Sequence, residues 1–217
     1  MQNSQTGGVI NNKWQFGYEG IFRANSVLEN IDRVEGISAE TVNTLKAEVR
    51  FLRALIYSDL ITLFGDVPLV TKVLTREEGL EVTRSPKEDV LALVVEDLDF
   101  AIANLTLQPV QGQLGRPTRQ AALAQKARIM LYNERWSEAA AAAQQVIEIA
   151  EANPDIIGLV DDYASVFSPD NENTKEVIFD IQFTEGTQGE GNFLQVFYAP
   201  GPEGNPGNGW GSLTPLE

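Results

Sequence analysis

The chain contains no cysteine and no histidine, and its 16 Lys and Arg are outnumbered by 31 Asp and Glu. Without thiols there are no disulfides and no thiolate nucleophile; without imidazole the commonest base near neutral pH and the usual zinc ligands are missing. No cofactor is called for. The net charge of -15 repels phosphate backbones and anionic lipid surfaces at long range, so no nucleic acid is expected as partner. No window reaches the ~18 consecutive apolar residues of a membrane span, and the opening MQNSQTGGV lacks the basic and apolar regions of a signal peptide. The missing cysteine leaves the redox compartment open. What is present is ordinary for a globular protein: 217 residues, 43% of them hydrophobic, enough for a sizeable core.

The chain is organised around residues 43–70, NTLKAEVRFLRALIYSDLITLFGDVPLV. Leu45, Val49, Leu52, Ile56, Leu60 and Leu63 recur at helical spacing, and Phe51, Leu55 and Ile61 widen the stripe, which predicts a central α-helix. Lys46, Arg50, Arg53 and Tyr57 run along another side. Gly65 supplies a left-handed cap and Pro68 stops the helix, so the chain should continue extended.

Residues 1–12 read as a polar lead-in loop. From Trp14 onward, Tyr18, Ile21, Asn25, Leu28 and Ile31 share one helical face, and a buried Asn25 there needs a hydrogen-bonded link to a neighbour. Ser38 begins the next helix. Residues 71–83 read as a surface loop, and Ser85, Pro86 and Glu88 as the start of a helix with Val90, Val94, Leu98, Ala101 and Leu105 on its buried face. Glu96, Asp97 and Asp99 fall outside that face and read as solvated. Thr118 should cap a further helix, followed by a short turn and a second helix from Trp136 to a stop at Pro154. This hairpin, ALAQKARIMLYNERWSEAAAAAQQVIEIAEANP, has the spacing of a tetratricopeptide repeat, with Trp136 expected in the core. Leu159, Tyr163, Val166 and Phe167 suggest a short helical turn packed on the array. Residues 176–184, EVIFDIQFT, alternate like a strand, and residues 185–217 form a Gly- and Pro-rich loop that keeps Phe193, Phe197, Tyr198 and Trp210. The expected architecture is mainly all-α: a tetratricopeptide-like antiparallel helix-pair array (13–167), a short strand and a long aromatic-bearing loop, in one domain spanning 1–217.

WQFGYEGIFRANSVLENID, LKAEVRFLRALIYSDLITLFGDVPLV, GRPTRQAALAQKARIMLYNERWSEA and EVIFDIQF, in that order, resemble the SusD/RagB family of bacteroidete surface glycan-binding lipoproteins. The resemblance covers essentially everything from Trp14 onward. It implies a non-enzymatic protein at the extracellular face of the outer membrane that captures oligosaccharides or another nutrient for a SusC-like TonB-dependent transporter. Family members are longer, with a signal peptide and a lipidated cysteine as their only membrane attachment, so this sequence is expected to be part of a longer protein.

By position after the strand, Tyr198 and Trp210 are where the resemblance implies an aromatic platform, with Asn192, Gln195 and Asn208 as polar neighbours; Asn11 and Asn12 precede the first helix in a region that also contributes in the family. Rings stack on the apolar face of a pyranose while amides satisfy its hydroxyls. Arg50, Arg53, Asp59 and Asp66 read as structural ion pairs and caps. Asp161, Asp162, Asp170 and Glu172 match no calcium-loop spacing. The competing readings are a tetratricopeptide-type scaffold for a protein partner and, last, a hydrolase with paired carboxylates that no spacing here places together.

Overall fold

Six successive α-helices form among the described residues: α1 (Ser4–Asn30), α2 (Ala39–Phe64), α3 (Arg76–Glu81), α4 (Lys87–Asn104), α5 (Arg119–Tyr132) and α6 (Trp136–Ala152). The computed structural model describes residues 4–168 and 171–183. The chain divides into two units, residues 1–179 and 180–217. In the first, α2 packs against α1, α4 and α5, and α5 pairs with α6, giving the all-α, tetratricopeptide-like array expected. In the second, only residues 180–183 are described; they adopt neither helix nor strand, and the Gln182 amide donates to Asp180 Oδ1 at 2.6 Å.

The central helix starts where Ser38 Oγ accepts the Thr41 N–H at 3.1 Å, satisfying one of the free donors of a helix N-terminus. It ends at Gly65, whose φ of 70° is accessible to glycine without a Cβ clash. Its buried positions are Ala47, Phe51, Ala54, Tyr57, Leu60 and Ile61, together with Glu48, Arg53 and Ser58. The expected Leu stripe is therefore rotated: Leu52 and Leu63 are 43% and 62% exposed. With three helices packed around it, α2 buries a wider arc than a single stripe describes, and polar Arg53 falls inside that arc while two leucines face outward.

The α1 stripe is as predicted, with Ile21, Asn25 and Ile31 buried and Trp14 edge-on to Phe64 at 5.1 Å. The helix begins at Ser4, inside the stretch expected to be a lead-in loop, and Ile10, Asn11 and Asn12 are exposed on it. Gly20 lets α1 approach α2 closely, since a Cβ there would lie 2.6 Å from Ile56 Cδ1.

The segment 71–83 is not all loop: a capping box closes α3, with Thr75 Oγ1 accepting the Glu78 N–H at 3.2 Å and Glu78 Oε2 accepting the Thr75 N–H at 2.8 Å. At the start of α4, Ser85, read from the sequence as part of the helix start, does not cap it. Ser85 pairs in an antiparallel bridge with Val67, and Asp66 Oδ1 instead accepts the Lys87 N–H at 2.9 Å. Thr118 does cap α5, its hydroxyl accepting the Ala121 N–H at 3.4 Å.

Two further expectations are overturned. Among the described residues of the expected 176–184 strand there is no strand; an alternating pattern needs a neighbouring strand to pair with, and this segment instead lays Ile178 and Phe179 on the helical core, Phe179 edge-on to Phe51 at 5.0 Å. Trp136 is 60% exposed rather than core, because α6 buries only Ala139 and Ala142 and no helix covers its other side among the described residues. The predicted turn near Tyr163 is a 3-10 helix, Tyr163–Phe167, but Leu159, Tyr163 and Phe167 stay exposed.

Candidate functional site

The most elaborate polar arrangement lies beneath the extended segment that follows α2. Tyr18 Oη donates to Pro68 O at 2.8 Å. Tyr57 Oη donates to Val70 O at 3.0 Å and accepts the Val70 N–H at 2.7 Å. Asn25 Nδ2 donates to Val70 O and Lys72 O at 3.0 and 3.2 Å, and Glu29 accepts the Val73 N–H at 2.7 Å. Asn25 is thus the structural link its position on an apolar stripe required.

Behind it, Arg53 donates to Asn25 Oδ1 at 2.7 Å and forks onto Asp97 at 2.7 and 2.9 Å. Asp97 is fully buried, against the expectation that it faces solvent with Glu96 and Asp99. The reason is that α4 packs on both α2 and α5, so its buried arc reaches past the apolar stripe to the point where Arg53 stands opposite. Burial pushes the Asp97 carboxyl above the ordinary carboxylate value, against the opposing pull of Arg53 and Arg50. Burial likewise raises both phenols, Tyr57 to about 12, and Tyr18 further with Tyr57 beside it. Every member of this cluster has its partner inside the fold, which suits it to holding backbone in place and leaves nothing poised to react.

The remaining charged groups expected to be structural are so. Asp59 pairs with Lys13 at 2.6 Å, and Arg50 reaches Glu96 at 3.2 Å while its guanidinium lies 4.4 Å from the Phe100 ring centroid. Among the described residues no group of three or more Asp or Glu gathers as a metal site, and no helix is long and apolar enough to cross a membrane.

Of the residues expected to contact ligand, Asn11 and Asn12 lie on α1, exposed, and the helix start beyond them places them on a rigid surface rather than in a loop. Asn192, Gln195, Tyr198, Asn208 and Trp210 lie outside the described residues.

The concave surfaces that are described lie elsewhere. A groove of about 440 Å³ runs along the α5–α6 hairpin between Arg128, Leu131, Tyr132 and Trp136 over a floor of alanines. It shares Arg128 and Tyr132 with a polar notch of about 100 Å³ between α2 and α5, walled by Ser58, Asp59, Thr62 and Gln125. A third, apolar groove of about 450 Å³ lies between the end of α6 and residues 157–159, 176 and 178. The sequence reading missed the first two because it assigned Trp136 inward; the signal was the run Ala139 to Ala143, too small to bury an indole by itself.

The family model described as "Starch-binding associating with outer membrane" matches residues 2–131. The SusD-like protein P25 of Formosa agariphila is 34% identical over 87% of this chain and 36% of its own length, so the chain spans about a third of that relative, and a SusD-like protein of Bacteroides ovatus is 25% identical over 80% of this chain and 33% of its own. Among solved structures, a laminarin-binding SusD-like protein superposes with a TM-score of 0.76 at 28% identity, over 86% of this chain and 42% of its own. A SusD-like carbohydrate-binding protein from Bacteroides fragilis does so with 0.72 at 32% identity, over 81% and 33%. With the family model covering more than half of the sequence and the same helical array in its solved members, the chain belongs to the SusD-like family.

Proposed function

We propose that this chain is the helical part of a non-enzymatic carbohydrate-binding protein at the cell surface, which captures oligosaccharides and hands them to a SusC-like TonB-dependent transporter in the outer membrane. The observation that carries the reading is the match of residues 2–131 to a starch-binding, outer-membrane-associated family, supported by the shared fold of a laminarin-binding relative. The internally satisfied Arg53–Asp97–Asn25 cluster agrees with it, since a protein that binds without turning over needs rigid scaffolding more than a reactive pair. Ligand contact is assigned to Trp210 and Tyr198 with Asn192, Gln195 and Asn208, and to Asn11 and Asn12 on α1. Attachment to the membrane through a lipid anchor is part of the same proposal.

The test is calorimetric titration of the 217-residue chain with maltooligosaccharides and laminarin oligosaccharides, with and without Trp210→Ala. Saturable binding weakened by the substitution supports the reading and the site; binding at full affinity in Trp210→Ala removes the site, and hydrolysis of either sugar removes the non-enzymatic reading. A tetratricopeptide-type scaffold is the second reading, favoured by the apolar groove beside Val146, Ile147 and Ile178. It predicts capture of a protein partner that survives deletion of residues 186–217 and is lost on Ile147→Glu.

A further inference from the structure

We infer that the notch and groove around Arg128 and Tyr132 form a second saccharide subsite, for uncharged oligosaccharides, on the helical array itself. The inference rests on the carbohydrate-binding reading above and places a binding surface far in sequence from Tyr198 and Trp210.

A pyranose presents two kinds of surface: an apolar face of C–H groups and a rim of hydroxyls that each both donate and accept. The two cavities offer the matching halves side by side. In the groove, Tyr132 and Trp136 are each 60% exposed and share the lining with Ala139, Ala140 and Ala143; the Trp136 ring and the Tyr132 face turned away from Arg128 are available for stacking. The notch offers acceptors on Asp59 and Thr62 and donors on Gln125 and Arg128. Thr62 directs its hydroxyl proton to Ser58 O at 2.7 Å, so what it has left to offer is lone pairs, while Ser58 is buried with its own proton on Ala54 O at 2.7 Å. Asp59 Oδ2 is taken by Lys13, which leaves Oδ1 to accept. Gln125 lines the same notch and supplies an amide.

Arg128 joins the two halves, lining both cavities with its guanidinium carbon 5.8 Å from the Tyr132 ring centroid. Among the described residues it forms no ion pair, unlike Arg23, Arg50, Arg53, Arg116 and Arg135. Its donors are therefore free to take hydroxyls. The groove volume lies within the roughly 300–1,000 Å³ of small-molecule sites.

Two other occupants fit less well. An apolar helix laid along the groove would seal the notch and strip water from Asp59, Gln125 and Arg128 without replacing their hydrogen bonds. An acidic saccharide would meet Asp59 in the notch and a chain of net charge -15 around it. A neutral sugar meets neither penalty, and its binding should be insensitive to salt.

The experiment is titration of the 217-residue chain with maltohexaose and laminarihexaose, first unsubstituted and then as Tyr198→Ala/Trp210→Ala, which removes the loop platform. Residual binding in that background is expected to weaken about fivefold or more on Trp136→Ala or Tyr132→Ala, to survive Trp136→Phe, and to hold between low and high salt. Thermal melting should be unchanged, since both rings are exposed. If either sugar binds the unsubstituted chain but the residual affinity ignores Tyr132 and Trp136, the subsite is refuted while the carbohydrate reading stands. If neither sugar binds the unsubstituted chain, it is the carbohydrate reading that fails. Sedimentation showing that Trp136→Ala abolishes self-association would overturn the subsite in favour of a protein-docking face.

Discussion

The two helix pairs of the array are held by opposite means. On α2 and α4 the buried residues include large side chains, Phe51, Tyr57, Leu91 and Leu98, and a fully buried carboxylate on α4 is clasped by Arg53 of α2. Where α5 meets α6, the buried contributions of α6 are two alanines, Ala139 and Ala142, and the outer surface is left open as a groove. The first pair is covered on both sides, by α1 and by α5, so its polar groups have to be satisfied inside the protein. Among the described residues the second pair has one side covered by a helix, and Tyr132 and Trp136 turn outward. A helix pair without a stacked neighbour exposes the face such a neighbour would cover, so among the described residues one helix-turn-helix unit supplies scaffold and the other surface.

The largest effect should come from breaking the buried pair. Asp97→Ala leaves the Arg53 guanidinium without its carboxylate in a dry site and should cost about 3–5 kcal/mol in chemical denaturation. Replacing both partners, Arg53→Met with Asp97→Leu, should recover most of that loss, because the expense lies in the orphaned charge rather than in the absent attraction. A single substitution no worse than the double would show that water reaches the site.

Next comes the clamp on the extended segment. Tyr57→Phe keeps the ring but removes the hydroxyl that serves both Val70 N–H and Val70 O, an expected loss of roughly 1–3 kcal/mol. The same hydroxyl sets an alkaline limit. Its folded pKa is raised from 10.0 to about 12, so the folded state favours the neutral phenol. The stability it contributes is fully present below pH 10 and disappears as the pH climbs through about 12. Denaturation followed from pH 9 to 12 should show a decline that is shallower in Tyr57→Phe.

Much of this difference between the pairs could be read before any coordinates, and the part that could not has one cause. The stripes on α1 and α4, the cap at Thr118, the stop at Gly65 and the hairpin spacing around residue 133 depend on local chemistry, which a window of sequence contains. Asp97 and Trp136 do not. Each was assigned from its own helix alone, the acid outward and the indole inward, whereas burial is decided by how many neighbours surround that helix. α4 packs on two helices and buries an acid; among the described residues α6 packs on one and exposes a tryptophan. The strand expected at 176–184 failed likewise, since alternation describes one partner of a pairing and says nothing of whether the other exists. The ligand platform assigned to Tyr198 and Trp210 came from family resemblance alone.

The alanine seam can be tested by overfilling it. Ala142 is 2% exposed, so Ala142→Leu should push α5 and α6 apart and cost about 1–3 kcal/mol. An unchanged stability would mean that the pair is loosely packed and not merely small-residued.

The smallest stability effect is expected at Trp136, and there its smallness carries the information. On α2 a large aromatic such as Phe51 is 1% exposed and truncating it would cost several kcal/mol. Trp136 at 60% exposure has little burial to lose, and Trp136→Ala should change stability by no more than about 0.5 kcal/mol. An indole that the fold does not need is still an apolar surface of considerable size held in water on a rigid helix end. Its removal separates the two uses of a side chain: a measurable fall in stability would place Trp136 with the scaffold residues of α2 and α4, whereas unchanged melting with weakened saccharide binding would place it with the surface that the second pair leaves open.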